Sequence, residues 1–214
     1  MVHVAFGSVL GADRKMLKSR SGDAVKLASL LEEAVDRASK AITEKNPDMP
    51  SDQRAQVARM IGIGAVKYSD LSSDRVKDYV FDWDRMLSFE GNTAPYLQYA
   101  HARICSIFRR AGIERDSVRD MVPTLSAPQE RSLTLRLLQF DAAVWDAIDK
   151  FSPHRLCTYL FDLATDFTAF YEHCPVLRAE SEDVRKSRLF LCDSTARVMN
   201  IGLSVLGIRS PEMM

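Results

Sequence analysis

The chain has 214 residues and 46% apolar content, enough for one large domain or one and a half with a sizeable core. Its 29 basic and 29 acidic residues cancel, which excludes a bulk cationic field, so that any nucleic-acid site must be local. Four widely spaced cysteines (Cys105, Cys157, Cys174, Cys192) lack Cys-x-x-Cys or Cys/His spacing; they read as buried reduced thiols rather than metal ligands, and no apolar run approaches the ~18 residues of a membrane span.

Val2, Val4, Phe6, Val9 and Leu10 alternate in part, as a single strand does. A lone strand needs a sheet, so it pairs either with 79–86 or with a sheet outside this chain. Gly11 to Asp23 is a loop, and from Arg14 to Lys26 there are five basic residues against one acid. Ser21 or Asp23 caps a helix to about Lys45, with Leu27, Leu30, Leu31, Ala34, Ala38 and Ile42 at helical spacing. After the loop 46–51, Ser51 caps a second helix to about Tyr68. Gly62 and Gly64 inside it each cost about 1 kcal/mol relative to Ala, which points to close packing of another backbone. A second strand is predicted at 79–86, where Asp82 and Asp84 are expected to be solvated or paired with Arg75 and Arg85 rather than to act as a catalytic carboxylate pair.

The next helix carries the candidate site. Gly91-Asn92 breaks the chain, Thr93 is a helix cap, Pro95 suits the first turn, and Gly112 is the stop. Tyr96, Tyr99 and Arg103 fall at spacings of three and four, on one helical face. Two aromatic plates beside a guanidinium suit unstacked nucleic-acid bases with their phosphates; the same spacing also suits tyrosines packed in a core. His101 on this helix reads as a packed or capping imidazole. Arg103 to Arg119 carries five basic residues against two acids. Beyond a connector at 120–128, helices are predicted over 128–150 (Leu133, Leu137, Phe140, Val144 and Ile148 inward), 153–173, and 183–206 (Val184, Leu191, Val198, Ile201 and Val205 inward), with Trp145 and Phe151 assigned to the core. Helices of this length joined by short loops make a bundle. The expected fold is mainly all-α.

Several stretches resemble one family. Asp82-Trp-Asp-Arg-Met-Leu-Ser-Phe-Glu-Gly-Asn-Thr-Ala-Pro-Tyr-Leu-Gln-Tyr-Ala-His-Ala-Arg103 is similar to the entry into the anticodon-binding domain of arginyl-tRNA synthetases. So are Pro153-His-Arg-Leu-Cys-Thr-Tyr-Leu-Phe-Asp-Leu-Ala164 and the terminal Gly202-Leu-Ser-Val-Leu-Gly-Ile-Arg-Ser-Pro-Glu-Met-Met214. Lys15-Met-Leu-Lys-Ser19 resembles the Lys-Met-Ser-Lys-Ser loop of class I synthetases, with Leu17 in place of Ser.

The resemblance implies a division into a remnant of the catalytic Rossmann domain (1–22), a connecting helical region (23–90) and a helical anticodon-binding domain (91–214). It implies tRNA(Arg) as partner, met by Tyr96, Tyr99, Arg103, Tyr171 and Met214. Lys15 and Lys18 would then face ATP phosphates, stabilising charge electrostatically. The parent enzyme attaches arginine to tRNA with ATP and Mg. The four histidines here form no His-x-Gly-His element, so this chain alone is expected to bind no cofactor, to lack a metal site and to charge no tRNA. A cytoplasmic protein without membrane contact is expected, monomeric if the N-terminal strand does not self-associate. Two other functions fit the same residues: a free-standing tRNA-binding module without ligase chemistry, and a helical protein-interaction domain.

Overall fold

A computed structural model of the chain describes residues 2–11, 13–16 and 26–214. Strand β1 (Val9–Leu10) pairs in parallel with β2 (Tyr79–Val80), Val9 opposite Tyr79 and Leu10 opposite Val80. The first of the two pairings open to the N-terminal strand is therefore present, over a much shorter run than the apolar alternation suggests. Val2, Val4 and Phe6 remain exposed ahead of it. Gly7 is where the chain passes closest to its neighbour: its N–H donates to the Arg75 carbonyl at 2.6 Å, and a side chain there would strike the Lys77 carbonyl.

Helices α1 (Leu27–Lys45) and α2 (Ser51–Ser72) pack together over a small core of Ala38, Ile42, Met49, Val57, Ala58 and Ile61. The close approach expected at the glycines occurs at Gly62, where a Cβ would sit 2.7 Å from the backbone of Ala34 and Val35. The cap predicted at Ser21 or Asp23 lies outside the described residues.

The strand expected over 79–86 ends after Val80. Asp82 accepts a hydrogen bond from the Arg85 N–H at 3.1 Å and caps the short helix α3 (Trp83–Met86). It is thus a capping residue with no ion pair to Arg75 or Arg85, and both Asp82 and Asp84 are exposed, the solvated alternative of the two expected. The Arg75 guanidinium instead donates to the carbonyls of Ala5 and Phe151, both at 2.7 Å, tying the approach to β1 to a distant helix turn.

The larger core gathers around α4 (Ala94–Ala111), α7 (Pro153–His173) and α8 (Glu182–Val205). Leu97, Ile104, Leu160, Leu163, Phe167, Phe170, Leu189 and Leu203 are fully enclosed there. A 3-10 turn, Arg115–Val118, leads toward α5 (Pro128–Leu137), whose first turn is closed by the Glu130 carboxylate accepting from the Ala127 and Ser126 N–H groups at 2.9 and 2.7 Å.

The single helix expected over 128–150 is two, α5 and α6 (Phe140–Asp149). At the junction the chain tightens into a turn. Arg136 O accepts from the Gln139 N–H at 3.1 Å and from the Tyr159 hydroxyl of α7 at 2.9 Å, in place of the residue-140 N–H that would continue the helix. The break turns Leu138, Trp145 and Ile148 outward, and Trp145 is 70% exposed. Phe151, in the left-handed region at φ 49°, is also exposed. Neither belongs to the core to which its aromatic character assigns it. Ile201 and Val205 on α8 are likewise exposed, contrary to the inward pattern. No described helix is long and apolar enough to cross a membrane.

Candidate nucleic-acid interface

Helix α4 is fixed at both ends by local chemistry. The Thr93 hydroxyl donates to the Ser88 carbonyl at 2.6 Å and accepts from the Tyr96 N–H at 3.3 Å, while Gly112 (φ 66°) supplies the left-handed stop. The buried Tyr68 hydroxyl reaches Asn92 at 2.6 Å and the Cys157 carbonyl at 2.9 Å, binding the start of α4 to α2 and α7. Burial pushes its phenol pKa well above the ordinary range, so it stays a neutral hydroxyl.

The faces of α4 divide the work. One stripe, Gln98, His101 and Arg109, donates to main-chain carbonyls of the C-terminal tail: Gln98 Nε2 to Arg209 at 2.7 Å, His101 Nδ1 to Pro211 at 3.0 Å, Arg109 Nη1 to Glu212 at 3.0 Å. The buried, packed imidazole expected at His101 is present, and burial lowers its pKa more than the Pro211 contact raises it. The tail so held ends with Met214 beside the next stripe.

That stripe carries Tyr99, Arg103 and Arg110, and with Tyr171, Arg178 and Met214 it lines an open groove of about 870 Å³. The Arg103 guanidinium lies 4.9 Å from the Tyr99 ring centre and 5.4 Å from that of Tyr171, with Nη2 3.3 Å from the Tyr99 hydroxyl. Tyr171 is backed by Phe167 at 6.1 Å, and Phe89 meets Tyr99 edge-on at 6.5 Å with the Lys45 ammonium 4.6 Å over its own ring. Cations and rings therefore form one continuous line of contacts from Lys45 through Phe89, Tyr99 and Arg103 to Tyr171. Tyr99 is 40% exposed, so one of these rings is open to a base.

Four of the five site residues inferred from the resemblance to the family come together here: Tyr99, Arg103, Tyr171 and Met214. Tyr96 stands apart. Its ring faces Phe161 at 5.7 Å and its hydroxyl lies 3.4 Å from Thr168 Oγ1, partly buried between α4 and α7. Phe89, Lys45, Arg110 and Arg178 are the additions, of which only Arg110 carried a signal, the basic excess of 103–119. Lys15, in the N-terminal loop, is 83% exposed, 3.7 Å from the Asp13 carboxylate. Lys18 lies outside the described residues. No group of three or more His, Cys, Asp or Glu side chains among the described residues is placed to hold a metal ion.

Rings with open faces and guanidinium forks beside them bind splayed bases and phosphates together. Of the charged groups lining the groove, Arg103, Arg109, Arg110 and Arg178 outweigh Glu172, which gives the local cationic field that the neutral whole lacks.

Residues 97–214 match the DALR anticodon binding domain, and residues 1–83 match the catalytic domain of class I (R) tRNA synthetases. Over 212 residues the chain is 53% identical to an arginine--tRNA ligase of Pectobacterium carotovorum and 51% identical to one of Klebsiella pneumoniae, covering 99% of this chain and 37% of each relative. The arginyl-tRNA synthetase structure of Thermus thermophilus superposes with a TM-score of 0.88 at 41% identity, over 99% of this chain and 35% of that one. That of Plasmodium falciparum gives 0.80 at 33%, with the same coverage. The chain thus spans little more than a third of the length of the relatives it matches.

Proposed function

This chain belongs to the arginyl-tRNA synthetase family and matches its C-terminal part, and from that premise we propose that the Tyr99–Arg103–Tyr171 groove seats anticodon-loop bases of tRNA(Arg). The carrying observation is the Arg103 guanidinium held between two tyrosine rings, one of them open to solvent, in a DALR anticodon binding domain. A base entering the groove stacks on Tyr99, Arg103 offers donors to a base edge or phosphate, and Met214 gives an apolar contact. Tyr96 supports from behind, through Phe161 and Thr168.

The full-length relatives are named arginine--tRNA ligases. Carried to this chain, that makes it part of a cytoplasmic enzyme of protein synthesis that attaches arginine to tRNA with ATP and Mg. Lys15, solvated and lightly tethered to Asp13, has the chemistry to meet ATP phosphates. Lys18 would be its partner in the loop.

Titrating labelled tRNA(Arg), and a tRNA with an unrelated anticodon, into the 214-residue chain tests the groove. Stacking is worth about 1–3 kcal/mol per base, so Tyr99→Ala is expected to weaken tRNA(Arg) binding about 5- to 150-fold at unchanged melting temperature. Arg103→Ala should alter preference among anticodons if it meets a base, and lower the salt dependence if it meets phosphate. Equal affinity of the wild type and the well-folded Tyr99→Ala protein would move the site elsewhere.

A further inference from the structure

Beside the C-terminal tail lies a second recess, of about 360 Å³, apart from the groove. Helix α2 supplies one wall through Arg59, Ile63 and Lys67, which share a stripe four residues apart, and Arg209 of the tail supplies the other. Met60 and Ile208 make an apolar floor, and no carboxylate lines the recess. Among the described residues none of the three cations lies within ion-pair distance of an acid.

Two glycines shape it. Gly207 adopts φ 69°, and its carbonyl accepts from Lys67 Nζ at 2.7 Å, which holds the ammonium at the mouth. At Gly64 a Cβ would come within 3.0 Å of Gln98 Nε2 and 3.1 Å of Ile208 Cγ2. The same Gln98 amide fixes Arg209 through its carbonyl, so the recess and the groove are set by one helix. The tail from Arg209 to Met214 can separate them by at most about 18 Å, a distance a few nucleotides of a single strand cover.

We infer that this recess takes a backbone phosphate of the same RNA whose bases enter the groove, with Arg59, Lys67 and Arg209 as its donors and the apolar floor under the adjoining sugar. The inference rests on the groove being an RNA-base site. Its ligand is a phosphate diester, recognised without regard to sequence.

The test is the salt dependence of tRNA(Arg) binding by fluorescence anisotropy across a KCl series, for the wild type, Arg59→Gln, Arg209→Gln and Tyr99→Ala. Lys67 is left intact because it also holds Gly207. Each arginine variant should lower the slope of log Kd against log salt by about 1, equally for tRNAs of different anticodon, while Tyr99→Ala lowers affinity at an unchanged slope. Unchanged slopes in both arginine variants, with Tyr99→Ala still impaired, overturn the phosphate site and leave the groove standing. A wild type that binds no tRNA removes the groove, and this inference with it. In a second arm, inorganic phosphate is added at constant ionic strength while the Arg59 and Arg209 side-chain NMR signals are followed. Millimolar phosphate shifting those signals, with the RNA slopes unaltered, would make the recess a small-anion site and equally overturn the proposal.

Discussion

Where α8 meets α5 and the 3-10 turn, guanidiniums are tied to carboxylates. Arg188 pairs with Glu130 at 2.8 Å and Glu180 at 3.2 Å, Arg115 and Arg197 converge on Asp193 at 2.7 and 3.0 Å, and on α5 itself Arg136 meets Asp166 of α7 at 2.9 Å. Around the groove and the recess, Arg103, Arg110, Arg178, Arg59 and Arg209 have no such partner among the described residues. A charge committed to an internal carboxylate joins helices and adds nothing to the outer field. One left solvated keeps its field for a ligand. A chain of zero net charge can therefore present a local cationic surface, where unpaired arginines gather around the groove and the recess with Glu172 as the one acidic side chain lining either among the described residues.

The largest effect that sharpens this contrast is expected at the buried pair. Arg188→Ala leaves the Glu130 carboxylate enclosed and uncompensated, which should cost about 3–5 kcal/mol, read as a lower urea midpoint at unchanged slope. The pair also has a pH signature. Burial alone would raise the Glu130 pKa, but hydrogen bonds from Arg188, Ala127 and Ser126 outweigh it and hold the group below its ordinary 4.5. Its stabilisation is thus present above about pH 4.5 and is lost as pH falls through the lower folded value. A loss no greater than that of an exposed arginine would erase the distinction between the two regions.

At the groove the expectation is reversed. Arg110→Ala and Arg178→Ala should change stability by no more than about 0.5 kcal/mol, yet reduce the salt slope of RNA binding by about 1 wherever the side chain meets phosphate. Melting curves and binding isotherms on the same preparations separate the two.

Helix α4 is the part most legible in the sequence, because Thr93, Pro95 and Gly112 act through local backbone chemistry. The α5–α6 break was not legible. Leu133, Leu137, Phe140, Val144 and Ile148 keep helical spacing across it, no glycine or proline marks it, and the Tyr159 hydroxyl that meets the turn comes from another helix. The site divides in the same way. Tyr99 and Arg103 are neighbours by helical geometry, whereas Phe89 and Lys45 join them only through tertiary contact. Tyr171 and Met214 had no spacing signal and came from resemblance to the family.

A smaller effect is expected at His101. Burial lowers its pKa from 6.5, so the unfolded chain takes up a proton first. Stability should fall as pH drops below about 6.5 toward the lower folded value, and His101→Gln should flatten that part of a melting-temperature profile. An unchanged profile would separate the tail anchor from this titration. Smallest of all, Trp145→Ala should shift stability by no more than about 0.5 kcal/mol, as its exposure dictates; a loss of about 3 kcal/mol would mean a core tryptophan after all.

Gln98, His101 and Arg109 hold the tail by its carbonyls alone. Such a clasp is blind to side-chain identity, so the exposed Glu212 and Met213 side chains are free to drift or to be engineered while the path of the tail is preserved. A library randomised at those two positions would change the outer face of the tail while leaving its path, and Met214 at the groove, in place.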